Sequence, residues 1–187
     1  MILRFFRRDD AAETIQRLYG AIVAQSRDPI FYTAYRVPDT IEGRFEMILL
    51  HLFGLFHRLK PEDEARRALG QRVFDAFCVD MDANLREMGV GDLIVPKRMK
   101  KIAESFFGRV AVYDAGLAQP GEGELAAALL RNVYSGAPER AAEAAALASY
   151  LRVLTGALAA VPFDTFARGA IPFPAVAAPA AEQGASS

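Results

Sequence analysis

The chain of 187 residues has a single cysteine, only two histidines and almost no excess of charge, and each shortage excludes a class of protein. Cys78 alone cannot form a disulfide framework or a cysteine-based zinc site. The balance of 22 basic against 23 acidic residues argues against a dedicated nucleic-acid-binding protein. His51 and His57 lie six residues apart, on different sides of a helix, so they cannot chelate one ion. The sequence therefore predicts no metal and no other cofactor.

Long apolar runs are also missing from the sequence. The most apolar window, residues 45–59, is too short and too polar to span a bilayer, so it is predicted to be a buried core helix. Arginines interrupt the apolar residues of segment 1–8, which excludes a secretory signal. We therefore expect a cytoplasmic protein. Residues 1–8 could also contact the inner face of the cytoplasmic membrane, with simple fraying of the terminus as the alternative.

What the sequence has in abundance is alanine and leucine, which favour helix over strand. Asp39 lies three residues before Glu42, an arrangement typical of a helix start, and Pro61 is predicted to open another helix. We predict helices at 10–27, 29–34, 41–59, 61–88, 96–117, 122–134, 138–160 and 163–168. The fold is therefore predicted to be all-α, with one domain at 10–168, a basic and apolar segment at 1–9, and a disordered Ala/Pro-rich tail at 169–187.

One segment differs from the other helices because its charges are separated along the chain. Acidic residues predominate at 80–92 and basic residues at 97–109, and Gly89 is suited to end a helix between them. Lys97, Lys100 and Lys101 share one helix face, opposite the apolar side chains. Two interpretations stay open. The face could be solvated and paired with the preceding acidic residues, or it could dock an anionic or polar partner.

This segment resembles the ubiquinol–cytochrome c chaperone family, the assembly factors of the cytochrome bc1 complex. The resemblance lies in DxxLREMGVGD at 82–92 and VPKRMKK at 95–101, together with PDTxEGRFEM at 38–47 and RNVY at 131–134. These blocks occur in the family's order and cover residues 10–165. The sequence is most similar to a bacterial member.

The resemblance implies an all-helical, non-catalytic chaperone that binds newly made cytochrome b or a bc1 precursor and associates with the ribosome. We expect four basic residues to supply the docking charge and three further residues to shape the acidic lip, with one more arginine at the far end of the segment. The predicted partner-binding residues are Lys97, Arg98, Lys100, Lys101, Asp82, Arg86, Asp92 and Arg109.

The alternative hypothesis is a helical carrier or enzyme that encloses a hydrophobic ligand such as an isoprenoid or haem. Its pocket would be lined by aromatic side chains, which otherwise fill the core. The candidates are Phe31, Tyr32, Tyr35, Phe53, Phe56, Phe106 and Phe107.

Overall fold

The computed structural model describes residues 2–179, with side chains from residue 11 onward, and this part of the chain contains helices but no strand. The helices are α1 (Ile2–Ser26), α2 (Pro29–Thr33), α3 (Ile41–Leu59), α4 (Glu64–Glu87), α5 (Val95–Ala118), α6 (Gly123–Val133), α7 (Ala141–Ala159) and α8 (Phe163–Ala167), with a 3₁₀ turn at Pro138–Arg140. The all-α prediction is confirmed.

The centre of the fold is α3, whose residues are buried almost without interruption from Glu46 to Leu55. It packs against α1, α4, α5, α6 and α7. A helix that is apolar on nearly all sides must be covered by others. Most of α3 is the window 45–59, which the sequence predicted to form a buried core helix.

His51 connects this central helix to its neighbours through a buried set of hydrogen bonds. Its Nδ1 lies 2.7 Å from the Met47 carbonyl oxygen, and its Nε2 lies 2.8 Å from the Tyr150 hydroxyl on α7. Because a carbonyl only accepts, Nδ1 carries the hydrogen and Nε2 accepts from Tyr150. Burial lowers the pKa of His51 to about 4, although the bond to Met47 acts in the opposite direction. His51 is therefore a neutral core residue.

Two helix starts differ from the sequence prediction in detail. Thr40, rather than Asp39, caps α3, since its hydroxyl oxygen accepts from the Gly43 amide at 3.2 Å. Asp39 instead accepts from Arg44 Nε at 2.7 Å. In α4 the cap is Asp63, so the helix begins three residues after Pro61. Side-chain oxygens that reach the first free amides decide these boundaries.

Residues 169–179 lack helix but pack against the core, in contrast to the predicted disorder of the tail. Ile171 is buried, and the Phe173 ring contacts the His51 ring with 5.5 Å between centroids. The Tyr35 hydroxyl donates to the Ala177 carbonyl at 2.9 Å. Apolar side chains among the prolines and alanines thus hold this segment against the core. Residues 180–187 lie outside the described residues, so their predicted disorder stays a prediction.

Candidate functional site: a docking surface at a helix elbow

The connection between α4 and α5, residues 88–94, forms a tight turn that we call the elbow. Gly89 has φ +79°, a left-handed conformation that glycine adopts readily. Its amide donates to the Arg86 carbonyl at 2.9 Å, and the Val90 amide donates to the Leu85 carbonyl at 3.0 Å. These two bonds satisfy the last carbonyls of α4. The prediction that the helix ends at Gly89 is confirmed.

The elbow extends beyond the core of the protein. Between Phe77 and Val95 no residue is buried, and after Val95 the next buried residue is Phe106. The final ten residues of α4 alone correspond to about 15 Å of helix. The adjoining ends of α4 and α5 therefore carry mostly exposed side chains, with Val95 buried between them.

Asp82, Arg86 and Asp92 form an ion-paired group at the elbow. Arg86 Nε donates to Asp82 Oδ2 at 2.6 Å, and Arg86 Nη1 donates to Asp92 Oδ1. The arginine thus joins the last turns of α4 to the elbow. Because one arginine pairs with two carboxylates, this group keeps one net negative charge.

The basic residues at the start of α5 remain exposed. Lys97, Arg98 and Lys101 form no ion pair within the described part of the chain, and Lys100 lies 3.7 Å from Glu104, with both side chains exposed. Asp82 and Asp92 pair with Arg86 instead, and Asp80 accepts from the Tyr19 hydroxyl at 2.7 Å. The alternative in which those acidic residues neutralise the lysines is therefore not realised in this structure.

Arg109 differs from the other predicted partner-binding residues. Its side chain is only 14% exposed and forms a two-pronged ion pair with Glu46 of α3, in which Nε donates to Oε2 at 2.7 Å. It also donates to the Ser105 carbonyl at 3.0 Å. Because its charge is neutralised inside the molecule, we leave Arg109 out of the docking surface.

Three exposed apolar side chains at the elbow were not identified by the sequence analysis. Leu93 is 96% exposed, and Met88 and Ile94 are also mostly exposed. Turns are normally rich in small and polar residues. The apolar run 93–95 directly before Pro96 was therefore the available signal. The surface thus combines apolar side chains at its tip with unpaired cations behind them.

The aromatic residues proposed to enclose a ligand pack mostly against each other. Phe56 contacts Phe106 with 5.0 Å between ring centroids, and Phe106 stacks on Phe74 at 4.9 Å. A cavity of about 590 Å³ lies between α3, α4 and α5, and only Phe56 of the proposed set lines it. Exposed Lys60 and Arg67 also line this cavity, so it is a surface groove. This arrangement favours the core interpretation of the aromatic residues.

The remaining candidate chemistry is limited. Within residues 11–179, no cluster of three His, Cys, Asp or Glu side chains is arranged to hold a metal ion. His57 Nδ1 lies 2.7 Å from Asp114 Oδ1, and Lys60 donates to the other oxygen of that carboxylate at 2.6 Å. Burial alone would raise the pKa of Asp114, but these two bonds outweigh it and lower the pKa. His57 lies in the last turn of α3, as the predicted helix 41–59 implies.

The predicted membrane contact of residues 1–8 falls on side chains outside the described residues. The backbone there continues α1 to Ile2, so that helix begins earlier than Asp10, where the sequence analysis placed its start. Among the described residues, no helix has both the length and the apolar character needed to span a bilayer.

Comparisons with known proteins agree on one family. The family profile described as ubiquinol-cytochrome C chaperone matches residues 33–173. The mouse and human proteins named "Ubiquinol-cytochrome c reductase complex assembly factor 1" are each 27% identical over 136 residues, which are 73% of this chain. This chain covers 46% of the mouse protein and 45% of the human protein, about half of their length.

A solved structure shows the same fold. The crystal structure of the Cbp3 homolog from Brucella abortus has a TM-score of 0.80 and 40% sequence identity. The match covers 94% of this chain and 97% of that one.

The three sequence blocks behind the resemblance have different structural roles. In block 38–47, Gly43 lies so close to Pro38 that a side-chain Cβ would be 1.9 Å from the Pro38 carbonyl oxygen. In block 131–134, the Tyr134 hydroxyl donates to the Tyr35 carbonyl at 2.8 Å. Packing within the molecule explains both blocks. Block 38–47 also has six exposed residues of ten, but it buries three, whereas the segment 82–101 has 15 exposed residues of 20 and buries only Val95, which makes it the candidate for recognition of a partner.

Proposed function

Since the chain belongs to the ubiquinol–cytochrome c chaperone family, we propose that it is a non-catalytic chaperone for assembly of the cytochrome bc1 complex. Its client is newly made cytochrome b or another bc1 precursor. The docking surface consists of Lys97, Arg98, Lys100 and Lys101, with Asp82, Arg86 and Asp92 beside them. Association with the ribosome, which the resemblance implies, and membrane contact through residues 1–8 belong to the same proposal.

The observation that supports this surface most directly is the unpaired positive charge at the start of α5. Positive side chains in a first helical turn oppose the helix dipole, so they carry a small cost in stability. An approaching polar or acidic segment offsets this cost and is attracted over about a Debye length, roughly 8–10 Å in physiological salt. A membrane cytochrome that lacks its haems and partner subunits exposes polar loops and helix ends that suit this surface.

Reversing the charge of Lys97, Lys100 and Lys101 to Glu should leave the fold intact and reduce the cellular content of the bc1 complex severalfold. The three side chains are exposed, so the substitutions disturb no packing. The bc1 content is measured from the reduced-minus-oxidised absorbance of cytochrome b in membranes of cells that carry only the variant. Circular dichroism and thermal unfolding check the fold.

A matched control keeps the same change in net charge but places it away from the elbow. Arg27, Arg67 and Arg72 are exposed and form no ion pair among the described residues, so their joint change to Glu should leave bc1 content normal. Normal bc1 content in the lysine variant would contradict the proposed surface. An equal loss in both variants would show a general effect of net charge.

A further inference from the structure

The tip of the elbow exposes apolar side chains that the docking of charged groups does not explain. Leu93, Met88 and Ile94 are 96%, 63% and 51% exposed and belong to one short turn. Single exposed apolar residues are ordinary on a protein surface, and Val153 on α7 is an example at 58%. Three such side chains within one short turn are different, because clustered exposed apolar residues are typical of interaction surfaces.

Unpaired cations stand directly behind this apolar tip. Lys97 and Arg98 lie in the first turn of α5, and Lys101 lies one turn further on. Arg86 pairs with both Asp82 and Asp92, so this group keeps one net negative charge. Glu87 adds a second exposed negative charge, and the three unpaired cations outweigh these two. The local charge next to the tip is therefore positive.

The exposed apolar side chains and the positive charge beside them favour a lipid surface as the occupant. Apolar side chains at an exposed turn can enter the headgroup layer and reach the boundary of the acyl chains. Basic side chains next to them would then lie beside lipid phosphates, to which an anionic surface attracts them. The first turn of α5 contains no acidic residue to oppose these phosphates.

We propose that the elbow tip docks this protein onto an anionic membrane surface. Leu93 and Ile94 enter the lipid interface, with Met88 beside them, while Lys97 and Arg98 contact phosphate groups. This inference goes beyond the client contact proposed above, which shares Lys97 and Arg98 but extends along α5 to Lys100 and Lys101. A chaperone held in this way meets a membrane-bound client at the lipid surface.

The first test measures partition of the full chain onto vesicles that contain no client. Vesicles of phosphatidylcholine with about one third phosphatidylglycerol should bind the wild-type protein, and added salt or pure phosphatidylcholine should weaken binding. The variant Leu93→Ser/Ile94→Ser should bind at least about tenfold more weakly, since two apolar contacts are removed. The matched control Val153→Ser should bind like wild type.

The second test uses the complete lack of tryptophan in this chain. A single tryptophan in the variant Leu93→Trp reports the surroundings of the tip alone. Its emission should shift to shorter wavelength when anionic vesicles are added, because the indole leaves water. The variant Val153→Trp should show no shift.

The inference would be overturned if the wild-type protein did not bind the vesicles, or if Leu93→Ser/Ile94→Ser bound them as tightly as the wild type does. It would also be overturned if only Phe5→Ser/Phe6→Ser lost binding, because that result would assign the contact to the N-terminal segment. If the tip variant lowers bc1 content but binds vesicles normally, the apolar tip contacts a polypeptide instead. None of these results decides the proposed function. Because Lys97 belongs to both proposed contacts, the proposed function is tested separately by crosslinking from Lys101 to cytochrome b.

Discussion

Replacing Arg109 by Ala should lower the free energy of unfolding by about 3 kcal/mol at pH 8, the cost typical of leaving a buried charge without its partner. Glu46 lies on the central helix with its side chain 10% exposed, and Arg109 is its ion-pair partner. Urea unfolding followed by circular dichroism measures the loss. Arg109→Ala/Glu46→Gln should recover part of it, because no charge then remains buried.

The pH dependence of this loss follows from the direction of the Glu46 pKa. Burial raises this pKa, and the bonds from Arg109 lower it by less, so the pKa in the folded state exceeds that in the unfolded state. Such a group favours folding below its unfolded pKa, and this contribution is lost as the pH rises through the folded pKa. Without Arg109 the folded pKa rises further, so Arg109→Ala should cost less at pH 5 than at pH 8.

The same variant decides between two roles for Arg109. If it unfolds like wild type but reduces bc1 content, the guanidinium belongs to the docking surface and the structural assignment is wrong. If it is destabilised, and Arg109→Ala/Glu46→Gln restores both stability and bc1 content, the arginine acts through the fold.

Protonation of His51 should remove about 3 kcal/mol of stability as the pH falls from 7.5 to 4. Burial holds its pKa at about 4 in the folded protein, against 6.5 for the ordinary side chain. Between pH 4 and 6.5, the imidazole therefore binds a proton more readily in the unfolded chain than in the folded protein. The stability is therefore complete above about pH 6.5 and is lost toward pH 4.

The variant His51→Gln separates this effect from the titration of carboxylates. It should be less stable than wild type at pH 7.5, since the bonds to Met47 and Tyr150 are disturbed, but it lacks the titrating imidazole. The difference in unfolding free energy between the two proteins should therefore narrow toward pH 4. A constant difference across this range would show that His51 titrates in the folded protein as it does in water.

Much of the helical layout could be predicted because local sequence determines it. The predicted bounds of α3 are those of the structure, and Gly89 ends α4 at the predicted place. The predicted helix starts are wrong where contacts between side chains decide which of two neighbouring residues caps the helix. Thr40 caps α3 because Asp39 bonds to Arg44. The order of residues 169–179 depends on contacts with Tyr35, which follows α2, and with His51 in α3; both are distant in sequence, and no local pattern reveals them.

The site was predictable only in part for a related reason. Clustered lysines with helical spacing indicate an exposed basic face, and the structure leaves Lys97 and Lys101 exposed and unpaired within its described residues. The partner of Arg109 lies 63 residues away on α3, so its burial could not be deduced from charge alone. Leu93 would be taken for a core residue by composition, since only the three-dimensional position of the elbow exposes it.

The most direct test of the docking surface places a photo-crosslinking amino acid at Lys97 or Lys101 in cells that make the bc1 complex. The matched position is Val153, which is also exposed but lies on α7. Mass spectrometry of the purified adducts should identify cytochrome b peptides at positions 97 and 101 and few or none at 153. Adducts that lack cytochrome b and other bc1 subunits at both elbow positions, or equal yields at 153, would contradict recognition of the client by the elbow.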